Sequence, residues 1–565
     1  MWNYEVAASG VIAIDALLDG YKWQSTQGES AALTYSFPEG NANFVEGYAE
    51  PAAGWVSFSA DDRAATREVF EAWSDVAGLR FSEVDESEEE GDIRLAYSNL
   101  VETGQAAGWA YVLGTGTYFN GDLTKIQPSS VAGDIWINPN VTLSDGTGSD
   151  GFATLLHEVG HALGLDHPFE GPQTLPADQD TSQFTLMSYT SYEGAGYLYE
   201  DLGDGYYSYY PLQPQTPMLY DIYALQYLYG ANMETRAGDN TYQFETGYVF
   251  ETVWDAGGTD TFDFSNQLLG VQANLQDGQF SSVGHARIGI NEFSAAVDNL
   301  AIAFGALIEN AIGSNYDDTI IGNPANNTLS GLMGNDYLDG ADGWDTALLS
   351  GVINSYEFTA IEGGLRVVGE GADELINIEV LEFSDIRVDT QVLVDGESIL
   401  AGQVFLGGEV LDSASVMAQF ETGDLTTLAL NDDAQYIITG LSSADMEQMI
   451  LTPDTNQYNV GSGFVTAQDG LLALLQLDDD ILSDNQLDAA DINRDQQLNM
   501  DDVQAILAMA SGSVNAEGLY FMPEKSLQYT GVAVTDHDYH GAYLGDINNS
   551  FVNAYLAAPD EYFPG

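Results

Sequence analysis

Between residues 157 and 167 the chain reads HEVGHALGLDH, which spaces His157, Glu158, His161, Gly164 and His167 as a hydrolytic metal centre requires. Residues four apart on a helix share a face, so His157 and His161 can hold one cation while Glu158 points at a neighbouring water. Gly164 can take a left-handed conformation that ends the helix and lets the chain return His167 as a third nitrogen. Three protein ligands with a fourth position open mark a catalytic rather than a structural zinc. Three of the six histidines in 565 residues fall in this segment, which makes coincidence on an ordinary buried helix a poor explanation.

Those side chains need a scaffold, and the flanking sequence supplies one. Ser59 reads as the N-cap of a helix over 60–77, with Asp61 and Asp62 in its first turn and Val69, Phe70, Trp73 and Val76 along one side. Short alternating runs at 79–84 (LRFSEV), 92–98 (DIRLAYS), 108–114 (GWAYVLG) and 133–140 (GDIWINPN) read as sheet strands. Residues 189–217 are dense in Tyr and Gly without clear periodicity, and are expected as an irregular segment, either an aromatic rim to a cleft or a surface loop.

The full pattern HExxHxxGxxH resembles the metzincin metalloproteases, whose second mark is a downstream turn containing Met, and residues 184–192 (FTLMSYTSY) supply one. GLDHPFEG after the helix, DIYALQYLYGANMETRAGDNTYQF at 221–244, VWDAGGTDTFDFS at 253–265 and IENAIGSNYDDTIIGNPANNTLSG at 308–331 resemble the serralysin group of secreted bacterial proteases, in the same order. The resemblance implies a secreted zinc endopeptidase acting on proteins or peptides, with Glu158 as general base and Met187 as an apolar floor beneath the ligands. It also implies that Tyr189 binds zinc at rest and swings to stabilise the oxyanion. In the metzincin arrangement an edge strand above the zinc helix pairs with an extended peptide, and 108–114 is the segment that suits this role.

From 313 the sequence repeats every nine residues, as GSNYDDTII, GNPANNTLS, GLMGNDYLD and GADGWDTAL. This is a degenerate calcium β-roll pattern, with Asp318, Asn327, Asp336 and Asp345 at the acidic position and Ile320, Leu329 and Leu338 facing inward. Asn327 and the weak fourth repeat imply fewer or weaker sites than a full roll has. A second signature lies at 491–502, DINRDQQLNMDD, where Asp491, Asn493, Asp495, Asn499 and Asp502 hold loop positions 1, 3, 5, 9 and 12 and Gln497 offers a carbonyl at 7. Asp at the last position resembles a dockerin repeat, which implies a cohesin-like partner; a private calcium-stapled helical pair is the alternative.

Acidic residues outnumber basic ones 88 to 12, a formal charge of −76 that repels nucleic acid and anionic membranes, attracts cations, and suits a saline medium. There is no cysteine, so bound calcium would have to act as the staple. The first residues, MWNYEVAASGVIAIDALLDGYKW, lack a basic n-region and do not read as a signal peptide, and no apolar run approaches a membrane span.

The expected protein is multidomain: an α/β metzincin catalytic domain (1–235), a parallel β-roll or β-sandwich (236–350), a β-rich extension (351–445), a small helical calcium-binding dockerin-like module (446–512), and a C-terminal segment (513–565). One catalytic zinc and several structural calcium ions are expected, as are protein or peptide substrates. The rival reading is a calcium-dependent surface or matrix-binding protein with a vestigial protease fold. An intact ligand set, base and Met-turn argue against it.

Overall fold

The computed structural model describes residues 3–394 apart from positions 25, 41, 115, 119–124, 204–205, 248 and 290–291, and beyond 394 only isolated backbone strands within 398–453 and 519–543. The chain divides into two compact units, residues 1–348 with 371–378, and residues 349–370 with 379–565.

The first unit opens with a sheet built from β1 (Ala31–Ser36), β2 (Leu79–Glu83), β3 (Ile93–Ser98), β4 (Gly108–Ala110) and β5 (Ile135–Ile137), in the spatial order β2-β1-β3-β5-β4. These neighbours run parallel except β4, which lies antiparallel to β5 at the edge, and the short strand Trp55–Val56 adds a further antiparallel pairing to the end of β3. The interior strands carry the apolar runs such a position demands: Ile93, Leu95, Ile135 and Ile137 are fully buried. Each expected strand exists, though all four are shorter than their alternating runs.

Helix α1 (Ala60–Val76) begins where Ser59 was expected to cap it. The Ser59 hydroxyl accepts from the Asp62 N–H and the Asp62 carboxylate accepts from the Ser59 N–H, a reciprocal capping box. Val69, Phe70, Trp73 and Val76 are its buried stripe. Helix α2 (Asp150–Ala162) is capped by Ser149 and buries Phe152, Leu155, Leu156 and Val159. Its last carbonyls, which no further helical turn can satisfy, are taken by distant donors: Trp23 Nε1 donates to Ala162 O at 2.7 Å and Tyr229 OH to Leu163 O at 2.8 Å. Tyr229 closes α3 (Leu219–Tyr229), so α3 and the N-terminal segment together fix the end of α2.

Residues 189–217 differ from expectation. They contain a β-hairpin of Tyr197–Gly203 with Tyr206–Pro211, in which Tyr206, Tyr207, Tyr209 and Tyr210 are exposed. Periodicity failed here because the second strand is polar-aromatic on both faces and buries neither.

The nine-residue repeats form a roll in which alternate repeats stack. Thr319–Ile321 pairs in parallel with Tyr337–Asp339, and Thr328–Ser330 with Thr346–Leu348, giving two sheets over a core of Ile320, Leu329, Leu338 and Ala347. Earlier strands extend both sheets: Thr261–Asp263 and Asn310–Ile312 on one, Gln272–Asn274 on the other. The roll also continues past 350, since Ala372–Ile376, inside the segment read as a separate extension, pairs with Tyr337–Asp339. Residues 368–376, VGEGADELI, are a further repeat, with Gly371, Asp373 and Leu375 standing where Gly334, Asp336 and Leu338 do, which the intervening 349–367 hid from a search for contiguous period.

The second unit is β-rich, with hairpins Glu357–Ile361 to Gly364–Val368 and Val380–Glu382 to Arg387–Asp389 and further strands between Ser398 and Tyr543. The loop carrying Asp491, Asn493, Asp495, Gln497, Asn499 and Asp502 lies outside the described residues, as does the helical module expected around it.

A methyl group on Gly371 would fall 1.2 Å from the Gly334 carbonyl, so this close approach is what lets 371–378 dock as a turn of the roll. Gly371→Ala should cost about 2 kcal/mol or more of unfolding free energy. Gly238→Ala, where the added methyl meets open space, is the control. Equal denaturant midpoints for the two variants would show that 371–378 does not belong to the roll.

Candidate active site

The three histidines converge. Each offers one nitrogen, and these atoms lie within 4.8 Å of one another. His157 and His161 share one face of α2, and each uses its other ring nitrogen on a backbone carbonyl: Nδ1–H of His157 donates to Leu186 O and that of His161 to Leu165 O, both at 2.8 Å. With Nδ1 protonated, Nε2 of each ring carries a lone pair into the cleft. Burial pulls both rings down in pKa, His157 to about 3 and His161 to about 4, so they stand there as neutral donors.

His167 arrives by the turn at Gly164, whose φ is +103° and whose added side chain would lie 2.5 Å from the Tyr21 carbonyl. Two backbone bonds pin that turn to the N-terminal segment, Asp19 N–H to Gly164 O and Asp166 N–H to Leu17 O. His167 Nε2 ends 3.1 Å from His161 Nε2, and its Nδ1 is 3.6 Å from a Glu170 carboxylate oxygen. With Nδ1 protonated on both rings the two Nε2 lone pairs face one another, and a cation between them relieves their repulsion. The donor set therefore fits a zinc ion.

Glu158 is 5% exposed, and its Oε2 is buried without a hydrogen-bond partner. Burial pushes the carboxyl up to about 8, and a cation held by the neighbouring histidines would draw it back down. Gly108 of β4 lies against it: an added methyl there would come 2.9 Å from Glu158 Oε1. The Tyr189 ring lies 5.8 Å from that of His157, its hydroxyl donates to His167 Nε2 at 2.8 Å, and the residue is 70% exposed.

Met187 is fully buried beneath the cluster, its sulfur 2.9 Å from where a side chain on Gly160 would begin. Its turn is held by Asp221, a residue whose part in the site sequence reading did not single out. Asp221 accepts from Thr185 Oγ1 (2.6 Å), Leu186 N–H (2.8 Å) and Met218 N–H (2.9 Å), so the carboxylate that begins α3 also fixes the Leu186 carbonyl on which His157 rests. Burial raises Asp221 to about 6, against the lowering effect of those three bonds. An acidic residue at the third position of a helix is the one sequence signal that could have drawn attention to it.

A cleft of about 600 Å³ passes the cluster, lined by Ala106, Ala107 and Gly108 on one side, by Asp150, Ala153, Thr154, His157 and Glu158 of α2, and by Ser188, Tyr189, Gln213 and Pro214. A larger cavity of about 790 Å³, lined by Glu39, Arg63, Glu83, Asp85, Glu86 and Glu90, shares no residue with it and has the chemistry of a solvated acidic surface.

The acidic positions of the roll belong to a different arrangement, a ladder between turns. Asp336 Oδ1 accepts from the Asp318 N–H, Asp345 Oδ1 from the Asn327 N–H and Asp373 Oδ1 from the Asp336 N–H, at 2.7–3.0 Å. Asp318 already accepts from Val271 and Ser314. Asn327 donates its amide to Glu309 O and Asn323 Oδ1 and accepts from Asn323 N–H, so its side chain is satisfied by protein alone. The Asp336 Oδ2 is buried without a hydrogen-bond partner, and burial, with Asp373 and Asp318 nearby, pushes the carboxyl up to about 7.

Residues 56–175 match the matrixin family model, and residues 226–390 match that of the peptidase M10 serralysin C-terminal region. Among curated proteins the chain is 33% identical to serralysin G of Dickeya chrysanthemi over 58% of this chain and 70% of that protein. It is 32% identical to serralysin of Proteus mirabilis over 58% of this chain and 66% of the relative, and 32% identical to metalloprotease AprA of Pseudomonas entomophila over 55% and 63%.

Gly164→Ala should destabilise the protein by about 2–4 kcal/mol, because the positive φ and the Tyr21 carbonyl both oppose a side chain. It should also weaken metal retention, since His167 depends on that turn. A variant that melts with wild type and keeps its metal on dialysis would show that the turn does not place His167.

Proposed function

This chain belongs to the serralysin family of zinc metalloendopeptidases, and on that premise we propose how its own residues divide the hydrolysis of a peptide bond. His157, His161 and His167 would hold one zinc ion, each through one ring nitrogen. Bound there, zinc polarises a carbonyl and lowers the pKa of water. Glu158 takes the proton from the attacking water and returns it to the leaving amine. Tyr189 is exposed, and a cation on His167 Nε2 would displace the hydrogen bond its hydroxyl makes there, leaving that hydroxyl to turn toward the oxyanion. β4 receives the extended substrate at the sheet edge. The observation that carries this reading is the convergence of three nitrogen donors beside a buried carboxylate with an unpartnered oxygen.

Calcium is the second cofactor of the proposal, and Asp336 is a candidate ligand because one of its buried oxygens lacks a hydrogen-bond partner. Asp318 lies one turn of the roll before it on the same sheet and Asp345 pairs with Asn327 on the other, and the self-satisfied Asn327 supports fewer calcium ions than the four repeats would suggest. We place the enzyme outside the cell, where protein substrates and millimolar calcium are both met; no described helix is long and apolar enough to cross a membrane. The spacing of Asp491, Asn493, Asp495, Gln497 and Asp502 supports, on sequence alone, a further calcium-held module able to tether the enzyme to a cohesin-like partner.

Glu158→Gln should keep one zinc per chain and lose about 10²–10⁴-fold in turnover of a peptide substrate. Turnover near wild type at full zinc occupancy would remove Glu158 from the mechanism. A calcium-selective chelator should lower the melting temperature with zinc occupancy held fixed, and Asp336→Asn should shrink that shift. Melting temperatures indifferent to calcium would refute the calcium assignment.

A further inference from the structure

We propose that Glu50 is a positioning residue for the substrate-binding edge of the sheet, fixing β4 so that the backbone of Gly108 and Ala110 faces an incoming extended peptide. The proposal rests on the peptidase reading above. Asn138 N–H donates to Ala107 O at 2.9 Å and Tyr111 N–H to Asp134 O at 3.0 Å, while Gly108 lies opposite Ile137 and Ala110 opposite Ile135. Bonded and non-bonded pairs alternate along an antiparallel ladder, so residues 107, 109 and 111 turn their backbone groups to β5 and residues 108 and 110 turn theirs away from the sheet. β4 is the outermost strand, so no further strand of the sheet takes up those groups.

Side chains alternate as well. Gly108 lies against Glu158, and Trp109 and Tyr111 lie on the opposite face. Both of the latter end on a single atom: Trp109 Nε1 donates to Glu50 Oε1 at 2.9 Å and the Tyr111 hydroxyl donates to the same oxygen at 2.7 Å. Glu50 is 2% exposed, and its Oε2 is buried without a hydrogen-bond partner. A carboxylate with one oxygen left dry is a costly way to fill a core position, so packing does not explain it. What it provides is a strong acceptor that joins residues i and i+2 of one strand.

Glu50 is itself anchored to the sheet interior. Ser98 Oγ, at the end of β3, donates to its carbonyl at 3.2 Å. Two residues earlier, the Tyr48 hydroxyl donates to Asp134 at 2.9 Å and accepts from Trp136 Nε1 at 2.6 Å. The register of β3 and β5 is thereby carried to an edge strand of three residues that pairs on one side only. Such a strand frays unless it is tied, and tying it before the substrate arrives lowers the ordering cost of binding.

The test is steady-state kinetics on the full zinc-loaded chain with two substrates, a peptide of about eight residues and one too short to extend along β4. Glu50→Leu should raise KM for the long peptide about tenfold with kcat within about twofold, and leave kcat/KM for the short substrate within about twofold. Glu50→Gln retains the acceptor oxygen and should restore KM to within about threefold of wild type. Tyr111→Phe and Trp109→Phe each remove one donor while keeping an aromatic ring, and should each give part of the rise even if Glu50→Leu does not fold. Equal losses on both substrates, or an unchanged KM for the long peptide in both aromatic variants, would overturn the proposal. Wild-type protein that cleaves neither substrate would instead overturn the peptidase reading, so the two failures are distinguishable.

Discussion

Three imidazoles can point their nitrogens at one spot only when each ring is held by something other than the metal, and the catalytic half of this chain is arranged around that requirement. His157 is steadied by the Leu186 carbonyl and His161 by the Leu165 carbonyl, and neither carbonyl belongs to the helix that carries the rings. The Leu186 carbonyl is fixed by Asp221, at the start of the next helix. The Leu165 carbonyl sits in a turn held by the Leu17–Asp19 segment on one side and by Trp23 and Tyr229 on the other. Geometry at the metal centre is thus set by contacts between separate elements, as far apart in sequence as Trp23 and Ala162, which is why a helix with the right spacing would not be enough.

A second theme is the treatment of carboxylates in dry surroundings. Glu158 and Asp336 each keep a buried oxygen without a hydrogen-bond partner, and burial raises both toward neutrality. Each sits where a cation would relieve that cost, beside the histidines in one case and among the acidic turns of the roll in the other. Asn327 shows the neutral solution to the same problem, because its amide supplies the donors that a cation would otherwise replace. The charge of −76 is therefore of more than one kind, with a few carboxylates built into sites and the remainder spread over the solvated surface.

Much of this was legible before any coordinates. The nine-residue period gave the roll, since each repeat buries one apolar residue and turns on glycine. It failed at 368–376 because the intervening segment broke contiguity, and contiguity is what a period search reads. The capping box at Ser59 and the stripe on α1 were local patterns and appeared where expected. The tyrosine-rich hairpin did not, because its second strand buries no face and so leaves no alternation to find.

By itself, the sequence determined the chemistry available: which nitrogens and carboxylates share a helical face, where a helix must end, and which residues could bind cations. Those are short-range matters, decided by backbone geometry within a few turns. Only the tertiary structure decided that Asp221 supports the Met-turn, that Glu50 gathers Trp109 and Tyr111, and that Gly108 lies against Glu158. Each of these pairs residues from different elements, and a contact of that kind leaves no periodic trace along a single chain.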